Sequence, residues 1–366
     1  MAAAKAFVLP SSAAAPLAKA TIQTISTAAL TAHDVVVKLT HVPLHRADAA
    51  LANGTAYGAF ATERLETSPN FAERALNGAV AAATKTPRGI GMEAVGVIAD
   101  AGGRGGRNTG GLKEGDIVWV SPSAAANGTW GTHAVVPADH CHKLPAGAAP
   151  EKVALVAGTA VAARAMLLAH HKAGRDVFVS GGSGLLALLA THMASKGAGG
   201  VAKAGAVVAA AAPGARFAAA KTRLTAAGAK AVVEYTPAGA AKQLPAGFAP
   251  SLFLSGVGGR ATSSFCGRMA PNGTVVHFGA QHGPGLVLAT SHHMALGLTT
   301  TGFFLPKALA RMSYAQRQAA FDAAVEAALA CPAYPATTAK GLPALAEAWD
   351  NVFVEGGSKV LLMPNA

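Results

Sequence analysis

The sequence predicts an α/β protein of two domains, a small antiparallel barrel followed by a doubly wound parallel sheet. Three observations carry this. Residues 1–150 hold short β-branched runs separated by Gly and Pro turns. From about residue 151, strand-like and helix-like stretches alternate, the rhythm of a parallel sheet with crossover helices. A glycine-rich turn, Ser180-Gly181-Gly182-Ser183-Gly184, stands at the first strand-to-helix junction of that second part.

Taken in order, Lys5-Ala6-Phe7-Val8-Leu9 reads as a first strand. The first acid is Asp34, and residues 1–20 also have the character of a transit peptide. Residues 34–39, 93–98, 116–120 and 132–136 read as further strands, and 101–111, rich in Gly, as a loop. One helix interrupts this pattern at 68–84. Ser68 is its N-cap, Pro69 suits the first helical position, and Phe71, Ala75, Leu76, Ala79 and Val80 share one face. Beyond 150 the expected helices are 151–171, 184–197, 215–227, 262–270 and 314–329. The expected strands are 176–179, 206–208, 231–233, 252–254, 274–278 and 359–362.

Composition removes several functional classes. Half of the 366 residues are apolar, enough for a sizeable core, so wholesale disorder is excluded. Cys141, Cys266 and Cys331 form no CxxC, which excludes a disulfide framework and a cysteine-rich zinc module. The net charge of +12 invites a nucleic-acid reading, but Lys and Arg are scattered singly without interleaved aromatics, so no nucleic-acid partner is expected. The uncharged stretch 177–195 contains Gly181, Gly182, Gly184 and His192, which reads as strand, turn and buried helix, and no transmembrane segment is expected.

The glycine turn has the layout of a dinucleotide diphosphate site. Glycines let the backbone approach phosphate, and a helix N-terminus supplies N–H donors. Against the G-x-G-x-x-G spacing, Ser183 and Leu186 replace the second and third glycines. The end of the next strand, 207–214, carries no charge, and Arg216 and Lys221 follow it. Asp139-His140-Cys141-His142 gathers ligand-type residues on an expected strand with too few groups facing one way for a metal.

The whole-chain pattern resembles the medium-chain dehydrogenase/reductase superfamily, nearest its mitochondrial 2-enoyl thioester reductase branch and similar to quinone reductases. The resemblance rests on Arg46-Ala47-Asp48, Gly54-Thr55-Ala56-Tyr57-Gly58, Gly91-Met92-Glu93-Ala94-Val95-Gly96, Asn127-Gly128-Thr129-Trp130-Gly131, Asn272-Gly273-Thr274-Val275-Val276-His277-Phe278-Gly279, Gly302-Phe303-Phe304-Leu305 and Gly357-Ser358-Lys359-Val360-Leu361. It implies a GroES-like substrate domain, 1–150 with 306–366, and a Rossmann-type cofactor domain, 151–305. It implies NADPH at Thr159, Gly181, Gly182, Ser183, Gly184, Leu185, Phe278, Gly279, Phe303, Leu305 and Lys359. Tyr57 would stabilise the enolate formed when hydride reaches a 2-enoyl thioester. Zinc is not expected, since Met92 stands where zinc-dependent branches place a ligating His. A homodimer and a mitochondrial matrix location follow by the same analogy.

Departures from that pattern gather at the cofactor site: Leu186, the uncharged strand end, and 158–162 in place of an Asn-Pro pair. The sequence therefore supports an enoyl-reductase-like protein with an eroded NADPH site, serving as an accessory or structural subunit of a mitochondrial assembly. Its alternative is an active NADPH-dependent reductase of 2-enoyl thioesters or quinones.

Overall fold

The structure is a computed structural model that describes residues 5–9, 21–24, 34–45, 48, 88–89, 91–101, 110–122, 128–280, 287–335, 337–345 and 359–365. The expected helix at 68–84 and Tyr57 lie outside the described residues. The chain divides into two compact units: Met1–Gly158 with Leu309–Ala319 and Ala336–Ala366, and Thr159–Ala308 with Ala320–Pro335.

The first unit begins with β1 (Lys5–Leu9), β2 (Thr21–Thr24), β3 (Asp34–Pro43), β4 (Arg88–Gly89), β5 (Ala94–Asp100), β6 (Ile117–Val120), β7 (His133–Pro137) and β8 (Cys141–Lys143). β1 pairs antiparallel with β2 and β4. β3 is the spine of the rest, antiparallel to both β5 and β7. The β-branched run of β3 suits that central place, where both edges are paired and side chains pack tightly. Val35, Val37 and Leu39 bury with Ala94, Ile98, Val118, Val120, Trp130 and Val136 to form the core.

Helix α1 (Pro150–His170) carries the chain into the second unit. It is long and apolar enough to cross a membrane, but 67% of its apolar window is buried inside the protein, so its composition is that of a core helix. There follow β9 (Val177–Ser180), α2 (Leu185–Lys196), β10 (Val207–Ala211), α3 (Phe217–Ala226), β11 (Ala231–Glu234), α4 (Pro237–Lys242), β12 (Leu252–Ser255), α5 (Gly259–Cys266), β13 (Thr274–His277), α6 (Thr290–Leu296) and β14 (Thr299–Gly302). The strands make one parallel sheet in the order β11-β10-β9-β12-β13-β14. β9, β10 and β12 are buried throughout, as continuous apolar strands covered on both faces should be. Phe178, Phe253, Phe265 and Tyr235 form the aromatic part of the core.

The tail holds α7 (Leu305–Leu309), α8 (Tyr314–Leu329), β15 (Thr337–Gly341) and β16 (Lys359–Met363). β16 returns to the first unit, pairing Leu362 with Val42 and Leu361 with Pro43.

Residues 320–335 cluster with the second unit, where Phe321, Val325 and Ala328 are buried and a Cβ on Gly199 would stand 3.2 Å from Ala327 Cβ. Two expectations are corrected here. Residues 138–140 form a 3-10 turn ahead of β8, so His140 and His142 do not share a strand face. The helix expected at 262–270 runs from Gly259 to Cys266, starting directly from Gly258, whose φ of 76° ends the loop.

Candidate functional site

The candidate site lies in the second unit, at the carboxyl edge of the parallel sheet where the strand order reverses between β9 and β12. Crossovers leave in opposite directions at such a point and open a crevice above the strand ends. The turn from β9 into α2 supplies the floor. Gly181 has φ +82°, a conformation that side chains rarely adopt, and its carbonyl accepts from Gly184 N–H at 2.8 Å. Gly182 N–H donates to Ala210 O at 2.8 Å, which ties the turn to β10. A Cβ on Gly182 would stand 2.6 Å from Leu224 Cδ1 and 2.9 Å from Ala210 O, so the backbone approaches β10 because the side chain is absent.

α2 opens at Gly184 with no side-chain cap and no acid in its first turn, leaving first-turn N–H groups and the positive helix end facing the crevice. On the β12 side, Gly256 N–H donates to Ser180 Oγ at 3.0 Å. A Cβ on Gly256 would collide with Phe278, and one on Gly279 would lie 2.7 Å from Gly256 O. These glycines let the ends of β9, β10 and β12 and the start of the chain after β13 approach closely, so backbone rather than side chains lines this edge, the layout a dinucleotide diphosphate requires. Leu186, at the third-glycine position, is half-buried.

The remaining expected residues fall as follows. Thr159 and Phe278 are half-buried, and Ser183 is exposed at the turn. Leu185 is 5% exposed, so its side chain belongs to the core and only its backbone faces the turn. Phe303 N–H donates to His277 O at 2.8 Å, which carries the chain past the end of β13 toward Leu305, the start of α7. Lys359 is in the first unit, where its Nζ donates to Leu44 O. Tyr57 lies outside the described residues. Sequence reasoning missed the hydroxyl cluster beneath the edge, where Tyr235 Oη and Thr262 Oγ1 are 2.7 Å apart. Burial pushes the Tyr235 phenol up. Among the described residues no group of three or more His, Cys, Asp or Glu is placed to hold a metal ion.

No family model matches the chain, and no curated relative matches it. Solved structures do match along its length. A mycobacterial protein solved with NADPH is 19% identical, with TM-score 0.76, covering 99% of this chain and all of that one. A putative NADPH:quinone reductase from Bacillus thuringiensis is 15% identical, with TM-score 0.74 and 99% of each chain covered. The mitochondrial 2-enoyl thioester reductase heterodimer from Candida tropicalis is 19% identical, with TM-score 0.73, covering 99% of this chain and all of that one. The chain has the fold that these solved structures share. In that fold the parallel sheet is the Rossmann-like part, and the unit built on β3 and β5 is the GroES-like part.

Proposed function

We propose that the chain is an NADPH-dependent reductase of activated double bonds, acting on 2-enoyl thioesters or quinones. The observation that carries this reading is the glycine-lined edge formed by Gly181, Gly182, Gly256 and Gly279 beneath the uncapped start of α2. Solved structures of the same fold, one with NADPH and others named as quinone or 2-enoyl thioester reductases, support it. Bound NADPH would supply a hydride. The chain's own residues do the rest. Backbone N–H groups of the turn and of Leu185 hold the diphosphate. Arg216 is exposed directly ahead of α3, a helix with no acid in its first turn, and together with Lys221 it favours a 2′-phosphate over a free hydroxyl. Thr159, Phe278, Phe303 and Leu305 line the nicotinamide end. Tyr57 donates a hydrogen bond to the enolate oxygen, lowering the cost of its negative charge.

A second reading keeps the fold and drops the chemistry. Leu186 and the uncharged end of β10, Ala209 to Ala211, favour an eroded site in an accessory subunit of a mitochondrial assembly. Titration with NADPH and NADH, followed by nucleotide fluorescence, separates the two. Micromolar NADPH binding, turnover of a crotonyl thioester or a quinone, and a large loss of kcat in Tyr57→Phe are expected. Absence of binding for both nucleotides up to millimolar concentration would overturn the reductase and leave the accessory role. By the same analogy the protein is a homodimer, which sedimentation tests.

A further inference from the structure

The first unit contains a polar chain to which the proposed function above gives no role. Lys359, the first residue of β16, turns its ammonium inward. Nζ donates to Leu44 O at 3.2 Å and stands 2.8 Å from His45 Nδ1. An ammonium has only protons to offer, so Nδ1 is the acceptor and the ring carries its hydrogen on Nε2. His45 Nε2 is 2.6 Å from Glu93 Oε1, a contact that is close rather than well aligned. The other oxygen, Glu93 Oε2, accepts from Trp119 Nε1 at 2.7 Å and from Gly158 N–H at 3.0 Å.

Gly158 lies inside α1 and is the last residue of the first unit's leading segment. A Cβ there would fall 2.5 Å from Glu93 Oε1, so the carboxylate rests directly on the helix backbone. Asp48 adds a second carboxyl. Its Oδ2 accepts from His45 N–H at 2.9 Å, and its Oδ1 is buried without a hydrogen-bond partner among the described residues.

We propose that Lys359, His45 and Glu93 form a pH-sensitive latch on helix α1, closed onto Gly158 while Lys359 holds its proton and open once that proton passes to a base in solvent. Among the described residues, the groups facing the latch are Lys359 from β16, His45 and Asp48 from the segment after β3, and Glu93 from the segment before β5. β6 and α1 contribute only the non-titrating N–H groups of Trp119 and Gly158. With Lys359 charged, one ammonium faces two carboxyls. Its proton loss leaves two carboxylates with no ammonium between them in a site of low dielectric, which costs more than their hydrogen bonds return. Glu93 then turns toward solvent and Gly158 N–H loses the carboxylate as an acceptor. Burial pushes the Lys359 ammonium down to about 8 while Glu93 and Asp48 pull it upward, so the change falls at mildly alkaline pH.

The test is nuclear magnetic resonance of the ¹⁵N-labelled full chain between pH 6 and 10. The Gly158 amide and His45 Nε2 are expected to move together with one midpoint near 8. Lys359→Met places the Gly158 amide at its high-pH position already at pH 6. Asp48→Asn, which keeps the acceptor and removes one charge facing the ammonium, moves the midpoint to lower pH and serves even where Lys359→Met fails to fold. Flat Gly158 and His45 signals across the range, or a midpoint that Asp48→Asn leaves in place, would overturn the latch.

Discussion

Asp48 is fully buried, and burial pushes its carboxyl up to about 6 despite the pull of His45 and Lys359. A carboxyl with a raised folded-state value holds its proton more tightly in the folded chain. Its contribution to stability is complete below the ordinary value of 3.8 and is lost as pH rises through 6. Asp48→Asn is therefore expected to match the parent near pH 4 and to exceed it at pH 7.5 by about 1–3 kcal/mol, read from urea unfolding at both pH values. Gly182→Ala has the opposite sign. The new methyl meets the backbone carbonyl of Ala210, so a loss of about 1–3 kcal/mol is expected, with NADPH binding weakened at least ~10-fold. These two residues differ in how far the sequence revealed them. Gly182 sits in a strand-turn-helix junction, a local pattern that sequence displays. Asp48 bonds locally to His45, but the Lys359–His45 contact beside it forms only through the fold, since those two are 314 positions apart. His45 has no adjacent histidine or other sequence signal, yet the fold places it between Lys359 Nζ and Glu93 Oε1.

At the scale of elements, α5 shows what holds the second unit together. Its Phe265 stacks on Phe178 at 4.4 Å and on Tyr235 at 5.3 Å, and meets Phe253 edge-on at 6.4 Å. Phe265→Ala removes the common partner of three rings from a site only 2% exposed. A loss of about 3–5 kcal/mol is expected in denaturant unfolding. α8 matches its sequence expectation from Tyr314 to Leu329, although its two halves serve different cores. Tyr314 Oη and Gln318 Nε2 donate to carbonyls of Cys141 and Lys143, and Arg317 pairs with Asp139 at 2.8 Å, all in the first unit. Phe321 and Val325 are buried in the second. A helix with two burial faces has apolar residues on every side, which is why its boundaries were legible and its split was not. β14 and β15 went unread for a plain reason. Both are largely exposed strands rich in threonine, without the apolar run or alternation that marks a strand in sequence.

At the scale of the whole molecule, the cofactor reading has a thermodynamic consequence. A ligand that binds only the folded chain stabilises it by mass action. NADPH at 100 times its Kd is expected to raise the unfolding free energy by about 2.7 kcal/mol, seen as a shift of the circular-dichroism transition in urea. The pairing of β16 with β3 has another consequence, for synthesis on the ribosome. Leu362 and Val42 are partners separated by 320 positions. At about 5–20 residues per second, some 16–64 s pass between their emergence. Throughout that interval the Val42–Pro43 end of β3 waits without its partner, so a core begun early is among the last to be finished. A chain cut just before Lys359 would lack β16 and leave the core around β3 without Val360 and Leu362.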